Sequence, residues 1–160
     1  MSTTFVDIIK QEVMKIVLAT DGSVQSTAAV KEIAHRSFPA KTEVHVVVAY
    51  ATTSLLLQMD SMGASQDFYA QADRYALEGA QATAKKAAEM LTHGNPDLIV
   101  STLVVEGPAK NVILEEAEKI KADLIVVGSH GYGMVERFLL GSVSQSVAMH
   151  AHCSVEIVRK

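Results

Sequence analysis

Short apolar runs alternate along the chain with longer segments in which apolar residues recur every three or four positions. Such runs are typical of strands buried on both faces, and the spaced residues are typical of helices with one apolar face. The alternation predicts one three-layer α/β domain over residues 1–160, with a five-stranded parallel sheet and helices on both faces. The predicted strands are Met14–Thr20, Val44–Tyr50, Leu98–Val105, Ala122–Val127 and Ser154–Val158.

Four helices are predicted between these strands. They run from Ser23 to Ser37, from Asp67 to His93, onward from Gly107-Pro108, and from Val143 to Met149. The second has the most regular pattern, and Gly94-Asn95-Pro96 is typical of a helix end. The residues that recur at steps of three and four are Phe68, Ala72, Tyr75, Ala76, Ala80, Thr83, Ala84, Ala87 and Leu91, and the alanines among them allow close approach to a sheet.

Two segments carry weaker patterns. Residues 1–13 form a short apolar arm, with Phe5 to Val13 expected to pack on the domain or on a second copy. Residues 51–66 mix Thr, Ser, Leu and Met without clear periodicity, which indicates a long loop. Loops of that length in compact domains are often functional or interfacial.

Composition excludes several classes of protein. The chain is 49% hydrophobic and 20% charged, with a net charge of −4 and no basic cluster, so a nucleic-acid partner is not expected. A single cysteine excludes an internal disulfide framework and fits a reducing compartment. No window reaches membrane-spanning length, and the N-terminus lacks a signal-peptide pattern. We therefore expect a cytoplasmic protein without a membrane partner.

The candidate chemistry lies after the fourth predicted strand. Gly128-Ser129-His130-Gly131 follows that strand, and Gly141-Ser142 comes after nine further residues and opens a helix, with Ser142 near its N-cap. Glycines here can take positive φ or let another group approach the backbone. The helix N-terminus offers unpaired N–H groups and a positive partial charge. Together these features indicate a phosphate site.

The glycine spacing differs from the common nucleotide loops. No lysine follows the last glycine as in a Walker loop, and the three-glycine dinucleotide pattern is absent. The spacing Gly128-x2-Gly131-x9-Gly141-Ser142 resembles that of the universal stress protein family, in its ATP-binding branch. The resemblance extends from the Lys15–Ser23 segment, which contains Asp21, to Val158.

The resemblance implies a Rossmann-like sheet with strand order 3-2-1-4-5 and a ligand beyond the strand ends, where Asp21 and Gly128 lie. It also implies that backbone groups at Ala19 and Ala49 recognise the adenine edge, and that ATP or another adenine nucleotide binds together with Mg²⁺. The expected nucleotide-binding residues are Ala19, Thr20, Asp21, Ala49, Gly128, Ser129, His130, Gly131, Gly133, Met134, Gly141, Ser142, Val143 and Ser144.

Several of these residues have an ordinary structural alternative. The glycines could serve a turn alone, and Asp21 or Ser23 could simply cap a helix. If Asp21 instead faces a nucleotide, its carboxylate would accept hydrogen bonds from ribose hydroxyls or help hold a divalent ion. His130 could lend charge to a phosphate or be an exposed bystander. Ser129, Ser142 and Ser144 can donate hydroxyls to phosphate oxygens, although serine is common at helix starts.

The sequence supports a regulatory ligand more than a reaction. The loop has no lysine to stabilise charge at a γ-phosphate, so efficient ATP hydrolysis is not expected. The alternatives are a slow ATP hydrolase, a self-phosphorylating protein with Ser142 or Ser144 as acceptor, and an interaction protein without nucleotide. His150, His152 and Cys153 resemble metal ligands, but no fourth ligand accompanies them, so no metal site is expected.

The last strand predicts self-association. Ser154–Val158 reads as an edge strand with one face buried and one exposed, and in relatives this strand pairs across a two-fold axis. Here Ser154 replaces the usual proline, and Glu156 interrupts the apolar residues. Two copies of Glu156 could repel near the axis unless Arg159 or Lys160 lies opposite. We expect a homodimer through this strand, and a downstream protein partner that the sequence does not identify.

Overall fold

The computed structural model describes residues 13–52, 66–131 and 140–159. The predicted arm, apart from Val13, and most of the predicted 51–66 loop lie outside these ranges. The strands are β1 (Lys15–Ala19), β2 (Glu43–Tyr50), β3 (Ile99–Glu106), β4 (Leu124–Gly128) and β5 (Ser154–Val158). The helices are α1 (Val24–His35), α2 (Gln66–Gly94), α3 (Ala109–Ile120) and α4 (Ser142–His150).

The described strands form one parallel sheet in the order β3-β2-β1-β4-β5, which confirms the predicted fold and order. Alternate residues of β1 divide between the two faces. Ile16 and Leu18 pack with α1 and α2, whereas Val17 and Ala19 pack with α3 and α4. The near-continuous apolar sequence of β1 follows from this burial on both sides.

The long helix α2 buries part of its periodic set of residues. Its buried residues are Ala80, Ala84, Ala87 and Leu91. Phe68 and Tyr75, which belong to the same periodic set, are 61% and 65% exposed. At 29 residues the helix is roughly 43 Å long, whereas the eight-residue strands beside it span roughly 26 Å. A helix this much longer than the sheet cannot bury its whole apolar stripe against it.

The predicted edge position of β5 is correct, but its pattern of exposure is not. Val155 and Ile157 pack on the α3 and α4 side and Val158 on the α1 side, and all three are half-buried. Glu156 faces Arg36 at the end of α1, with Nη1–Oε2 and Nη2–Oε1 distances of 2.7 and 2.6 Å. This charge is therefore paired within its own chain, where the sequence suggested repulsion between two copies.

This ion pair predicts a pH dependence of stability. The hydrogen bonds from Arg36 lower the pKa of Glu156 below its ordinary value of 4.5. A carboxyl whose pKa is lower in the folded state stabilises the fold above its ordinary pKa, and loses that contribution as pH falls through the folded value. Since both side chains are about a third exposed, we expect Glu156→Gln to cost only about 0.5–1 kcal/mol at neutral pH.

Urea unfolding of wild type and Glu156→Gln at neutral pH and at about pH 3 tests this expectation. The difference in unfolding free energy should shrink toward zero at the lower pH. Glu89→Gln is a matched control, since Glu89 forms a more exposed pair with Lys85 at 3.9 Å and should change stability little at either pH. An equal loss for Glu156→Gln at both values would contradict a role for the charged pair.

Candidate functional site

A cavity of about 340 Å³ opens where the carboxyl ends of β1, β2 and β4 meet the first turns of α3 and α4. Its volume is in the range of small-molecule sites. It lies where the strand order reverses between β1 and β4, the place at which open α/β sheets bind ligands. The predicted residues that line it are Ala19, Thr20, Asp21, Ala49, Gly128, His130, Gly131, Gly141, Ser142, Val143 and Ser144.

Of the predicted residues that the structure describes, Ser129 does not line the cavity and is buried, at 2% exposure. Gly133 and Met134 lie outside the described residues. Five residues that line the cavity were not predicted from the sequence: Ser26, Val47, Ala109, Ile113 and Val127. Four of these are small or apolar residues of core-forming segments, and no sequence pattern separates them from ordinary core residues.

The Asp21 carboxylate is held at the end of β1 by neighbours from the start of α1. Its Oδ1 accepts from the Ser23 backbone N–H at 2.9 Å and from the Ser26 hydroxyl at 2.7 Å. The N-cap of α1 is Ser23, whose hydroxyl accepts from the Ser26 N–H at 3.2 Å. Of the two caps considered from the sequence, Ser23 is therefore correct, and the Asp21 carboxylate remains part of the cavity wall.

The glycines act through close approach. The expectation of positive φ is wrong for the motif glycines, because the described glycines with positive φ are Gly22 and Gly107. A Cβ on Gly128 would lie 2.7 Å from the Ser26 backbone nitrogen. A Cβ on Gly131 would lie 2.6 Å from Asp21 Oδ2. The absence of a side chain at Gly128 thus allows the first turn of α1 to pack closely against the end of β4. The absence of a side chain at Gly131 leaves room for the Asp21 carboxylate.

The first turn of α4 borders the cavity. The helix begins at Ser142, and the N-cap residue is Gly141, which has no side chain to accept a hydrogen bond from the first turn. The first turn of an α-helix has no intrahelical acceptor for its N–H groups, so these can bind an anion. The hydroxyl of Ser144 already contacts the carbonyls of Ser129 and Gly141 at 3.0 and 2.9 Å. Since a hydroxyl has one proton, the Ser144 side chain has none left for a phosphate, whereas Ser142 is exposed.

His130 is not an exposed bystander. It is half-buried, and its Nδ1 lies 2.9 Å from the hydroxyl of Ser129. Its Nε2 is buried without a hydrogen-bond partner in the part of the chain that the structure describes. A buried polar atom without a partner costs stability, so such an atom beside a cavity indicates a ligand or water partner. The Ser129 hydroxyl thus contacts this histidine within its own chain.

The histidines and cysteine near β5 do not form a cluster. Across residues 13–52, 66–131 and 140–159, no three His, Cys, Asp or Glu side chains are grouped as for a metal ion. His150 Nδ1 contacts the carbonyl of Ser146 at 2.8 Å. Burial, reinforced by Asp123, raises the pKa of the Cys153 thiol and so disfavours the thiolate that metals bind.

Within the described ranges, residues 13–52, 66–131 and 140–159, every helix is too short or too polar to cross a membrane.

Comparison with known proteins agrees with this architecture. The sequence profile of the universal stress protein family matches residues 12–159. The chain belongs to the universal stress protein family. One relative, a universal stress protein of Methanocaldococcus jannaschii, is 34% identical over 146 residues, which cover 91% of this chain and 82% of the relative.

Several solved structures share the fold. Hypothetical protein MJ0577 superposes with a TM-score of 0.77 at 23% identity, covering 91% of this chain and 95% of that one. A universal stress protein in complex with cAMP gives a TM-score of 0.64 at 23% identity, covering 92% and 97%. A family member from Arabidopsis thaliana with AMP bound gives 0.59 at 17% identity, covering 92% of each chain. At these identities the likeness shows the fold of the family.

Proposed function

We propose that this universal stress protein binds ATP or a related adenine nucleotide as a regulatory ligand. The observation that carries the proposal is the cavity at the strand reversal, because it joins an anion-binding helix start to an apolar pocket. Two structural neighbours with the same fold are complexes with cAMP and AMP. Both ligands contain adenosine, which is the part that an apolar pocket at the strand ends would bind.

The wall of the cavity has a suitable group for each part of a nucleotide. The N–H groups at the start of α4, together with the open backbone at Gly131, would bind phosphate oxygens. The apolar side formed by Val47, Ala49 and Ile113 would contact the base. Asp21 would accept hydrogen bonds from ribose hydroxyls or help hold Mg²⁺, which neutralises phosphate charge when it is bound. The buried Nε2 of His130 would gain a hydrogen-bond partner.

Regulation would act through the segment between the motif glycines. Gly131 and Gly141 both line the cavity, so a bound nucleotide would contact both ends of that segment. A ligand shifts a conformational equilibrium when it binds one state better than another. We infer that a protein partner or second subunit recognises the nucleotide-bound state.

ATP should raise the melting temperature of the nucleotide-free protein. A ligand that binds the folded state alone stabilises it by about 2.7 kcal/mol at a hundred times its Kd, which corresponds to roughly 5–10 °C for a domain of this size. GTP should give a smaller shift, since its base presents a different edge to the backbone at Ala19 and Ala49. Differential scanning fluorimetry with millimolar nucleotide and magnesium measures both. Nucleotide that copurifies is first removed and identified by mass spectrometry, and equal shifts for ATP and GTP would contradict adenine recognition.

We also propose a homodimer through the free edge of β5. The Val158 carbonyl accepts from the Ser129 N–H at 2.8 Å and so faces β4. Because backbone groups alternate along a strand, the N–H groups of Val155 and Ile157 face away from β4 and can pair with a second copy. The Arg36–Glu156 ion pair removes the charge repulsion that would oppose such pairing.

Ile157→Pro should convert the dimer to a monomer, because it removes an outward-facing N–H without removing a bond to β4. Sedimentation velocity at micromolar concentration measures the assembly state, and circular dichroism checks that the fold is kept. Val24→Pro serves as a control, since proline is tolerated at the first position of α1 and the substitution leaves β5 unchanged. A monomeric wild type contradicts the dimer, and a dimeric Ile157→Pro places the interface elsewhere.

A further inference from the structure

Three buried hydroxyls surround Asp21 at the end of β1. Thr20, Ser23 and Ser26 are 6%, 2% and 4% exposed. The hydroxyls of Thr20 and Ser23 lie 3.0 and 3.1 Å from the Ser26 oxygen. Ser26 is therefore the centre of the group, although nothing in the sequence sets it apart from an ordinary residue in the first turn of a helix.

Ser26 contacts both the carboxylate and the backbone of Asp21. Its hydroxyl lies 2.7 Å from Asp21 Oδ1, and the Asp21 backbone N–H donates to its oxygen at 3.3 Å. A carboxylate can only accept, so the single hydroxyl proton of Ser26 goes to Asp21. Hydrogen bonds to an ionised acceptor are the strong ones, and 2.7 Å is short. Two donors, Ser26 and the Ser23 N–H, thus fix Oδ1.

The position of Ser26 is itself set by the two neighbouring elements. Its N–H donates to the Ser23 hydroxyl, which anchors it in the first turn of α1. Its backbone also rests on Gly128, where an added Cβ would lie 2.7 Å from the Ser26 nitrogen and 2.9 Å from its Cα. Ser26 therefore connects the end of β1 to the end of β4, and the second carboxylate oxygen of Asp21 lies beside Gly131.

We propose that Ser26 is a positioning residue of the ligand site, which fixes the Asp21 carboxylate so that Oδ2 faces the ligand at Gly131. The effect of Ser26 on ligand affinity rests on the proposed nucleotide function. The contacts between Ser26 and Asp21 are observed independently of that function. A carboxylate held by two donors on one oxygen loses no rotational freedom when the ligand binds. Such preorganisation improves affinity by lowering the cost of ordering the site.

The first test uses the ligand-free protein. In Ser26→Ala, hydrogen exchange of the Ser23 amide, which donates to Asp21 Oδ1, should become at least about tenfold faster. The Thr27 amide donates to the Ser23 carbonyl within the first turn of α1 and should be unchanged, because the Ser23 cap is intact. Exchange measured by NMR distinguishes the two amides. Equal acceleration at both would show that Ser26 only supports the helix, and no change at Ser23 would show that it does not hold the carboxylate.

The second test measures ATP binding by calorimetry. Ser26→Ala should weaken affinity about tenfold, or about 1.4 kcal/mol, in the wild-type background and have no further effect in Asp21→Ala. Thr42→Val is the matched control, because it also removes a buried hydroxyl, which contacts Pro39, but lies far from the cavity. Additive losses in the double variant would overturn the proposal. If the wild type does not bind ATP while the Ser23 amide responds as expected, the nucleotide function fails and the positioning of Asp21 by Ser26 stands.

Discussion

Gly128→Val is expected to destabilise the fold by at least about 3 kcal/mol, and to lower the melting temperature by roughly 6–12 °C. A Cβ at this position would lie 2.7 to 2.9 Å from backbone atoms of Gln25 and Ser26. Backbone at the start of a helix cannot rotate away as a side chain can. The first turn of α1 would therefore separate from β4. The buried hydroxyls around Asp21 would then lose the packing that positions them.

Thermal and urea unfolding measure this effect. Gly79→Ala is the matched control, because a Cβ on Gly79 in the interior of α2 meets nothing within 4 Å. That substitution should raise stability by about 0.5–1 kcal/mol, since glycine costs conformational entropy in a helix. Wild-type stability for Gly128→Val would show that the close contact between α1 and β4 is not needed.

Gly131→Val should weaken ATP binding at least about a hundredfold, or about 2.7 kcal/mol, while the melting temperature of the free protein changes by less than about 2 °C. Gly131 is exposed, and an added Cβ would lie 2.6 Å from the Asp21 carboxylate oxygen. Among the described residues it would meet side-chain atoms and no backbone within 4 Å. The larger side chain would move that carboxylate and fill the space at which phosphate would approach the backbone.

Calorimetric titration of ATP into Gly131→Val and into Gly79→Ala separates binding from folding. The second variant should bind as the wild type does. Gly141→Val should also lose binding, but with a measurable stability cost, because Gly141 is buried and its added Cβ would lie 3.3 Å from His130 Cα and the Ser129 carbonyl. Unchanged affinity in Gly131→Val would show that this glycine does not serve the ligand.

The sequence predicted the elements well because each strand and helix has a local pattern. The strand order came from the likeness to a family, since hydrophobic periodicity does not encode which strands are neighbours. Phe68 and Tyr75 share the periodic positions of α2 but are exposed, because periodicity does not show how far a helix extends beyond its sheet. The Arg36–Glu156 pair spans 120 residues and depends on the order of the strands, so no local pattern indicates it.

The site was predicted only in part, because local patterns do not show which distant residues come together. Glycine spacing located Gly131 and Gly141, which line the cavity, but it could not show that Gly128 serves the packing of α1. The sequence offers the hydroxyls of Ser129 and Ser144 as candidate donors to phosphate, and in the structure each contacts a group of its own chain. Which atom a serine contacts depends on residues that fold beside it. Ser26 went unnoticed because a serine in a first helical turn is common.

Isothermal calorimetry of ATP with magnesium, titrated into protein stripped of copurified nucleotide, tests the central claim most directly. We predict one site per chain, with affinity greater than for GTP and lost in Gly131→Val. Absence of measurable heat at millimolar ATP, in protein shown to be folded and nucleotide-free, would contradict the proposed function.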